Sequence, residues 1–427
     1  EIAQCLVGSE MCIRDRDVDS SLTFMAKTKI HVGLEIGTSK TCMVVGEVKP
    51  DATVTIIGVG EVPSEGVVRG EIEDTSKVIQ CVYDAWNMAQ DHADVDIMTV
   101  YLSVTGAHIV GQNNRGTFRL PPDESIISQE HMDEVTEIAR DVALGPEQFV
   151  LHRVPGLFSV DGQENLTNPA GLTGRTLDID CHIIHGIKSR ITNSFRCVRE
   201  VPLDIADVVF APIATAQFVL NRQVKQAGAL LIDMGAGTTD YVLYLDGQLV
   251  ASGCVPLGGD HISNDITLMT GIPLPQAELL KKTEGDANSF SGKTNEMVRV
   301  RGEGGMKDAA VERNVLNEII RSRLLEIFNL VKSSLPKDTF KGNRCHGVYL
   351  CGGASLMRGV GELASHVFGV AISRPTLSKN GAPSYLDDPR YCTAIGLIRY
   401  AQILDAELPP QRSWLGRLFG LFSKERS

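Results

Sequence analysis

No stretch of this sequence approaches the ~20 consecutive apolar residues that a membrane-crossing helix needs. Its ten cysteines include no C-x-x-C pair, which argues against a disulfide framework or a zinc site and reads as buried thiols in a reducing compartment. Positive charge is in deficit as well. The net charge is −12, and such a chain repels nucleic-acid phosphates rather than gathering them. The pattern G-x-x-x-x-G-K-[ST] is missing, so a P-loop is excluded. The "GVGE" stretches at 58 and 359 lack the third glycine of a dinucleotide fingerprint. The first residues show no basic region ahead of an apolar core and do not read as a signal peptide. Met25-Ala26-Lys27 reads as a natural start, so residues 1–24 are set aside as a non-native leader.

What is present is an ordinary globular composition, 43% hydrophobic and 22% charged, over 427 residues. That length implies two or more domains. Two stretches share one design. "HVGLEIGTSKTCMVVGEV" and "LLIDMGAGTTDYVLY" each run from an apolar strand through a carboxylate, x-Gly and small hydroxylated residues into a second apolar strand. Glu35 aligns with Asp233 and Gly37 with Gly235. Glycine lets the backbone approach a ligand, and successive N–H groups in such a turn form an anion nest. Thr38, Ser39, Thr238 and Thr239 add hydroxyl donors, Gly237 adds a second bare backbone position, and Lys40 adds a point charge for phosphate. A carboxylate repels phosphate, so Glu35 and Asp233 are expected to hold Mg²⁺, mainly through its waters. A single copy would read equally well as an ordinary glycine-rich hairpin. Two copies in matched contexts favour a pair of turns gripping a phosphate chain from both sides.

A third turn, "GVYLCGGASLMRGV", places Gly352-Gly353 after a buried strand at 348–351, with a helix expected to start near 354–356. Bare backbone there suits an adenine ring. In "AELLKK", Glu278 and Lys281 stand at i, i+3 on one helical face, where they either meet a ribose or form a solvated pair. "DIMTVYLSVTGAHIVGQNNRGTF" alternates and reads as a hairpin around Asn113-Asn114. "SQEHMDEVTEIARDVAL" reads as a helix capped by Ser128, with Met132, Val135, Ile138 and Val142 on its apolar side. The stretches "EQFVLHRVPGLFSVDG" and "RTLDIDCHIIHG" read as further strands. His108, His152, His182 and His185 lie here at no metal-like spacing and read as structural. "ERNVLNEIIRSRLLEIFNLVKSSL" reads as a long helix whose core stripe is Val315, Ile319, Leu324, Ile327 and Leu330.

The last residues differ in kind. "LDAELPPQ", 404–411, reads as a linker. In 412–427, Trp414, Leu415, Leu418, Phe419, Leu421 and Phe422 fall on one helical face, with Arg417 and Lys424 on the other. A basic, aromatic-rich amphipathic helix after a Pro-Pro break fits an anionic membrane surface. The competing arrangement is a helix docked on the body. One short helix binds reversibly, so stable anchoring would come from many linked copies.

The order of these elements resembles the actin, Hsp70 and sugar-kinase superfamily. Within it, "VGLEIGTSK", "VYLSVTGAHI", "NPAGLTG", "IDMGAGTTD", "GGDHISNDI" and "GGASLMRGV" resemble the FtsA family of bacterial cell division, from about Lys29 onward. Glu35 stands where the superfamily often has Asp. The resemblance implies an α/β, two-lobed actin-like ATPase fold with an inserted small α+β (SHS2-like) subdomain. The first lobe would take 25–93 and 187–226, the insert 94–186, the second-lobe core 227–261 and 336–403, and a smaller subdomain 262–335. It implies ATP and Mg²⁺ between the lobes, with ATP mainly an assembly ligand, since no residue stands out to position an attacking water. It also implies self-association, contact of the insert with later division proteins, and capture of the acidic C-terminal peptide of FtsZ, with Arg313 and Arg321 as candidate contacts. Residence would be peripheral, on the cytoplasmic face of the cell membrane at the division site. Rival readings are a pilus-assembly relative and a small-molecule kinase.

Overall fold

The computed structural model describes residues 28–288, 296–302, 308–375 and 386–407. The expected leader at 1–24 and amphipathic helix at 412–427 lie outside the described residues. Two sheets organise the chain. The first has five strands in the order Asp204–Phe210, Thr99–Val104, Lys29–Ile36, Lys40–Val48 and Val54–Pro63. Strand Lys29–Ile36 pairs antiparallel with Lys40–Val48 and parallel with Thr99–Val104. Helix Thr75–Ala93 starts at Asp74, whose side chain accepts the N–H groups of Ser76 and Lys77. It lies so close on the edge strand that a Cβ at Gly60 would sit 1.9 Å from the Ala85 carbonyl. The opposite face is covered by helix Cys392–Glu407, where a Cβ at Gly33 would sit 2.4 Å from the Ala394 carbonyl.

The second sheet runs Ala371–Ser373, Gly347–Cys351, Ala229–Met234, Thr239–Leu245 and Gln248–Val255. A single pairing, Gly253 with Val110, joins it to the strands Val110–Arg119, Thr176–Ile187, Gln148–Val160 and Gln163–Leu166. These four strands and helix Gln129–Arg140 enclose a small core of their own, built on Met132, Val135, Ala139, Leu177 and Ile179. Next to the second sheet stand helices Gly259–Thr270, Leu274–Glu284 and Arg313–Ser333.

Several expectations are corrected. Asn113-Asn114 is no turn: strand Val110–Arg119 runs through it, and the two side chains donate to the carbonyls of Val250 and Ala139, tying the strand to its neighbours. Strand Thr99–Val104, expected in the insert, pairs in the first sheet. Helix Cys392–Glu407, expected mostly in the second lobe, packs on the first and runs through the opening residues of the expected linker. Ile138 is exposed, and Ala139 takes the inner place. In Arg313–Ser333 the buried stripe is Leu316, Ile320, Leu324, Ile327, Phe328 and Val331, while Val315 and Leu330 face outward. That helix carries two apolar stripes of helical spacing, so periodicity alone does not choose between them. After Gly352-Gly353 comes a 3₁₀ turn, Gly353–Leu356, and the α-helix begins only at Val360.

Candidate functional site

The two matched hairpins form as read, and their turns share one geometry. In the first, Gly37 N–H donates to the Lys40 carbonyl at 2.9 Å; in the second, Gly235 N–H donates to Thr238 at 2.8 Å. Register pairs Glu35 with Cys42 and Asp233 with Asp240. The turns face each other across a cavity of about 630 Å³, within the range of small-molecule sites. Glu35, Gly37, Thr38, Ser39 and Lys40 line it from the first lobe, and Asp233, Gly235, Gly237 and Thr238 from the second. Glu278, Lys281, Gly352 and Gly353 line it too. Of the expected residues, Thr239 alone does not. It is fully buried, and its hydroxyl donates to the Leu257 carbonyl at 2.8 Å.

Each charged group has a distinct setting. Lys40 is buried and donates to Glu35 at 2.8 Å. Burial works against its charge, but Glu35 outweighs this and holds the ammonium above its ordinary range. Asp233 sits beneath Gly352, where a Cβ would come within 2.5 Å of its Oδ1, and Gly352 has φ of 78°. No other residue fits that position. Thr215 and Thr393 both donate to Asp233 Oδ2 at 3.0 Å. Crowding by protein, with the nearby Glu35 adding to it, nevertheless pushes the Asp233 carboxyl up to about 6. Asp240, buried on the same floor, is pushed up by burial to about 7 although Thr105 donates to it at 2.5 Å. Glu278 is pulled the other way. Burial opposes its charge, but Lys281 at 2.6 Å, with Ser263 and Lys282, brings it down to about 2. Lys281 also donates to the Gly259 carbonyl at 2.8 Å.

These residues fit a metal-bound polyphosphate. The acids among them offer hard oxygens, the kind Mg²⁺ takes, and two of these acids, Asp233 and Asp240, lie close together on the cleft floor. Gly237 lets the turns approach closely: a Cβ there would sit 2.4 Å from the Thr38 hydroxyl oxygen. The sequence did not reveal Thr105, Thr215, Thr393 or Ser263 as part of this site. The signal for two of them was a lone threonine in an apolar helical run, in "APIATAQFV" and "CTAIGLI", because a hydroxyl buried there needs an acceptor.

Elsewhere, Arg313 is already engaged, donating to Glu284 and Glu296 at 2.9 Å each. Arg321 lies on the same helix, half-buried. The histidines serve structure. His182 bridges Asn113 at 2.6 Å and Ser252 at 2.8 Å, and His152 accepts the Phe210 N–H at 2.9 Å. His108 accepts the Ile187 N–H, and His185 bonds Gln148.

Two lobes around a cleft, with a small α+β unit spliced into the first, define a protein of the actin-like ATPase fold. A solved PilM–PilN type IV pilus biogenesis complex aligns with a TM-score of 0.61 at 16% identity, covering 87% of this chain and 98% of that one. The ethanolamine utilization protein EutJ from Carboxydothermus hydrogenoformans aligns at 0.50 and 14%, covering 87% and 90%. Likeness at these identities speaks for the fold alone. The family model described as "Cell division protein FtsA" matches residues 230–396, and that of the SHS2 domain inserted in FtsA matches 106–185. Cell division protein FtsA of Escherichia coli K12 is 34% identical over 416 residues, covering 93% of this chain and 98% of the relative. That of Neisseria meningitidis serogroup B is 32% identical over 382 residues, covering 88% and 91%. The chain belongs to the FtsA family of cell-division proteins.

Proposed function

We propose that this chain binds ATP with Mg²⁺ in the cleft, self-associates, and ties FtsZ filaments to the cytoplasmic face of the cell membrane at the division site. The observation that carries the nucleotide part is the convergence of two matched turns and the Gly352-Gly353 turn on one cavity. Lys40 would meet phosphate oxygens, and the N–H groups and hydroxyls of both turns would hold the chain of phosphates. Glu35 and Asp233 would hold Mg²⁺ through its waters. When bound, the ion supplies the positive charge that the crowded acids lack. Glu278 and Lys281 would meet the ribose, and Gly352-Gly353 the base. Both lobes contribute donors, so the nucleotide would fix the angle between them and prepare the chain for assembly.

The adaptor part is supported by family membership and by the basic, aromatic sequence of 412–427. The insert would recruit later division proteins, and the helix carrying Arg313 and Arg321 would meet the acidic FtsZ peptide. For Arg313 this requires exchange of Glu284 and Glu296 for the peptide's acids. The test is co-pelleting with anionic liposomes, in ATP and Mg²⁺, of residues 25–427 and of a form ending at Gln411. Pelleting by the longer form alone, carrying an FtsZ tail peptide with it, is the expected result. If neither pellets, the membrane reading falls.

A further inference from the structure

A small hairpin outside the matched pair touches both phosphate turns. Its strands, Val67–Val68 and Glu71–Ile72, are joined by Arg69 and Gly70 alone. Both linking residues have positive φ, 52° and 76°, the pattern of a two-residue turn that favours Asn-Gly. Arginine is a poor choice for that conformation on backbone grounds. The hairpin is nevertheless firmly placed. Gly70 N–H donates to the Thr38 hydroxyl of the first turn at 3.0 Å. The Arg69 backbone presses on the second turn so closely that a Cβ at Gly237 would sit 2.8 Å from its Cα. Behind the tip, Glu71 pairs with Arg190, and the Gly66 carbonyl accepts the N–H groups of Glu73 and Asp74 at 2.9 and 3.1 Å. The tip is therefore wedged between the turns and held from the rear.

The side chain at that tip is exposed and makes no ion pair or hydrogen bond among the described residues. Its charge reaches the second lobe: after burial, Arg69 is the next influence lowering the His261 imidazole, which stands in the first turn of helix Gly259–Thr270. An arginine held in an unfavoured backbone conformation, its backbone against a phosphate turn and its side chain without a partner among the described residues, is available to a ligand held by those turns. Resting on the nucleotide reading above, we propose that Arg69 pairs with the terminal phosphate of a nucleoside triphosphate and so lets the cleft tell ATP from ADP. The recognising chemistry is a guanidinium on phosphate oxygens, at the end of the phosphate chain remote from the Glu278–Lys281 pair.

The test compares the Mg²⁺-dependent affinities of the full chain for ATP and ADP with those of Arg69→Asn and Arg69→Lys, each with a thermal melt. Asparagine suits positive φ, so Arg69→Asn should melt no lower than the parent. Its ATP affinity should nevertheless fall about tenfold or more while ADP affinity stays within about twofold. Arg69→Lys should keep part of the preference. An unchanged ATP-to-ADP ratio, or an equal loss for both nucleotides, overturns the assignment while leaving nucleotide binding intact. A parent chain that binds neither nucleotide overturns the reading of the cleft itself, and the assignment with it.

Discussion

The two matched hairpins have the same backbone and opposite electrostatics. Both close their turns with a glycine N–H bonded to the carbonyl three residues on, at 2.9 and 2.8 Å, and both place an acid next to last in the first strand. In the first, position four of the turn is Lys40, which neutralises Glu35 within the hairpin itself. In the second, that position is Thr238, so Asp233 takes its hydrogen bonds from Thr215 and Thr393 on other helices. Across from the acid the first hairpin has the buried thiol of Cys42, the second a further carboxylate, Asp240. One side of the cleft is thus self-compensated, and the other is short of positive charge. A repeated backbone motif gives the two sides of a cleft one shape; the side chains around it set the charge of each side.

The largest effect on nucleotide affinity is expected at the uncompensated side. Asp233→Asn keeps the size and one acceptor of the side chain but removes its charge, and should weaken Mg²⁺-dependent ATP binding by about a hundredfold in calorimetric titration, a loss of about 2.7 kcal/mol. Next comes Lys40→Met, which leaves Glu35 without its partner. Breaking such a pair costs about 3 kcal/mol where it is buried, so the melting temperature should drop, and ATP affinity should fall about tenfold. If Lys40→Met is harmless, the self-compensated description of the first hairpin is wrong.

A pH titration separates the hairpins further. Asp233 and Asp240 have carboxyls raised to about 6 and about 7, above the ordinary value near 3.9 that they take when unfolded. Between about pH 4 and 7 the unfolded chain has lost these protons while the native chain keeps them. The ligand-free protein should therefore lose stability as pH rises through that window, by up to about 1.4 kcal/mol per unit for each group. Asp240→Asn should flatten the slope, most clearly between pH 6 and 7, in denaturant melts. The sign reverses for metal: in the function proposed above, Mg²⁺ held by Asp233 would compete with its proton, so metal-dependent ATP binding should tighten as pH rises through about 6. The smallest effect is expected at Cys42→Ala, about 1 kcal/mol from a small cavity, with nucleotide affinity unchanged.

Much of the cleft could be read in advance because its parts are local. Acid, glycine and hydroxyls lie within a few residues of each other at 35–40 and 233–239, and each hairpin is closed by its own strands. That Thr215 and Thr393 come together under Asp233 was illegible for the opposite reason. They meet at 2.9 Å although 178 residues separate them, and no local pattern encodes that meeting. The same logic explains strand Thr99–Val104. It alternates like any strand, and only its pairing with Lys29–Ile36 assigns it to the first sheet. In Arg313–Ser333 the helix was legible but its inward face was not, because tertiary packing chose between two apolar stripes.

Helix Cys392–Glu407 has a consequence for how the protein is made. It covers the face of the first sheet at Gly33 and Gly46, and Lys29 bonds to Asp405 across 376 residues of chain. At about 5–20 residues per second, a ribosome that has finished the first hairpin needs roughly 20–75 s more to supply the helix that shields it. The small unit matched at 106–185 has no such wait, since its core residues all lie between 118 and 183. The insert can therefore complete itself on the ribosome while the lobe that carries it still shows an open apolar face. During that interval an apolar face of the nascent chain stays open, and the first-made sheet is among the last parts to close.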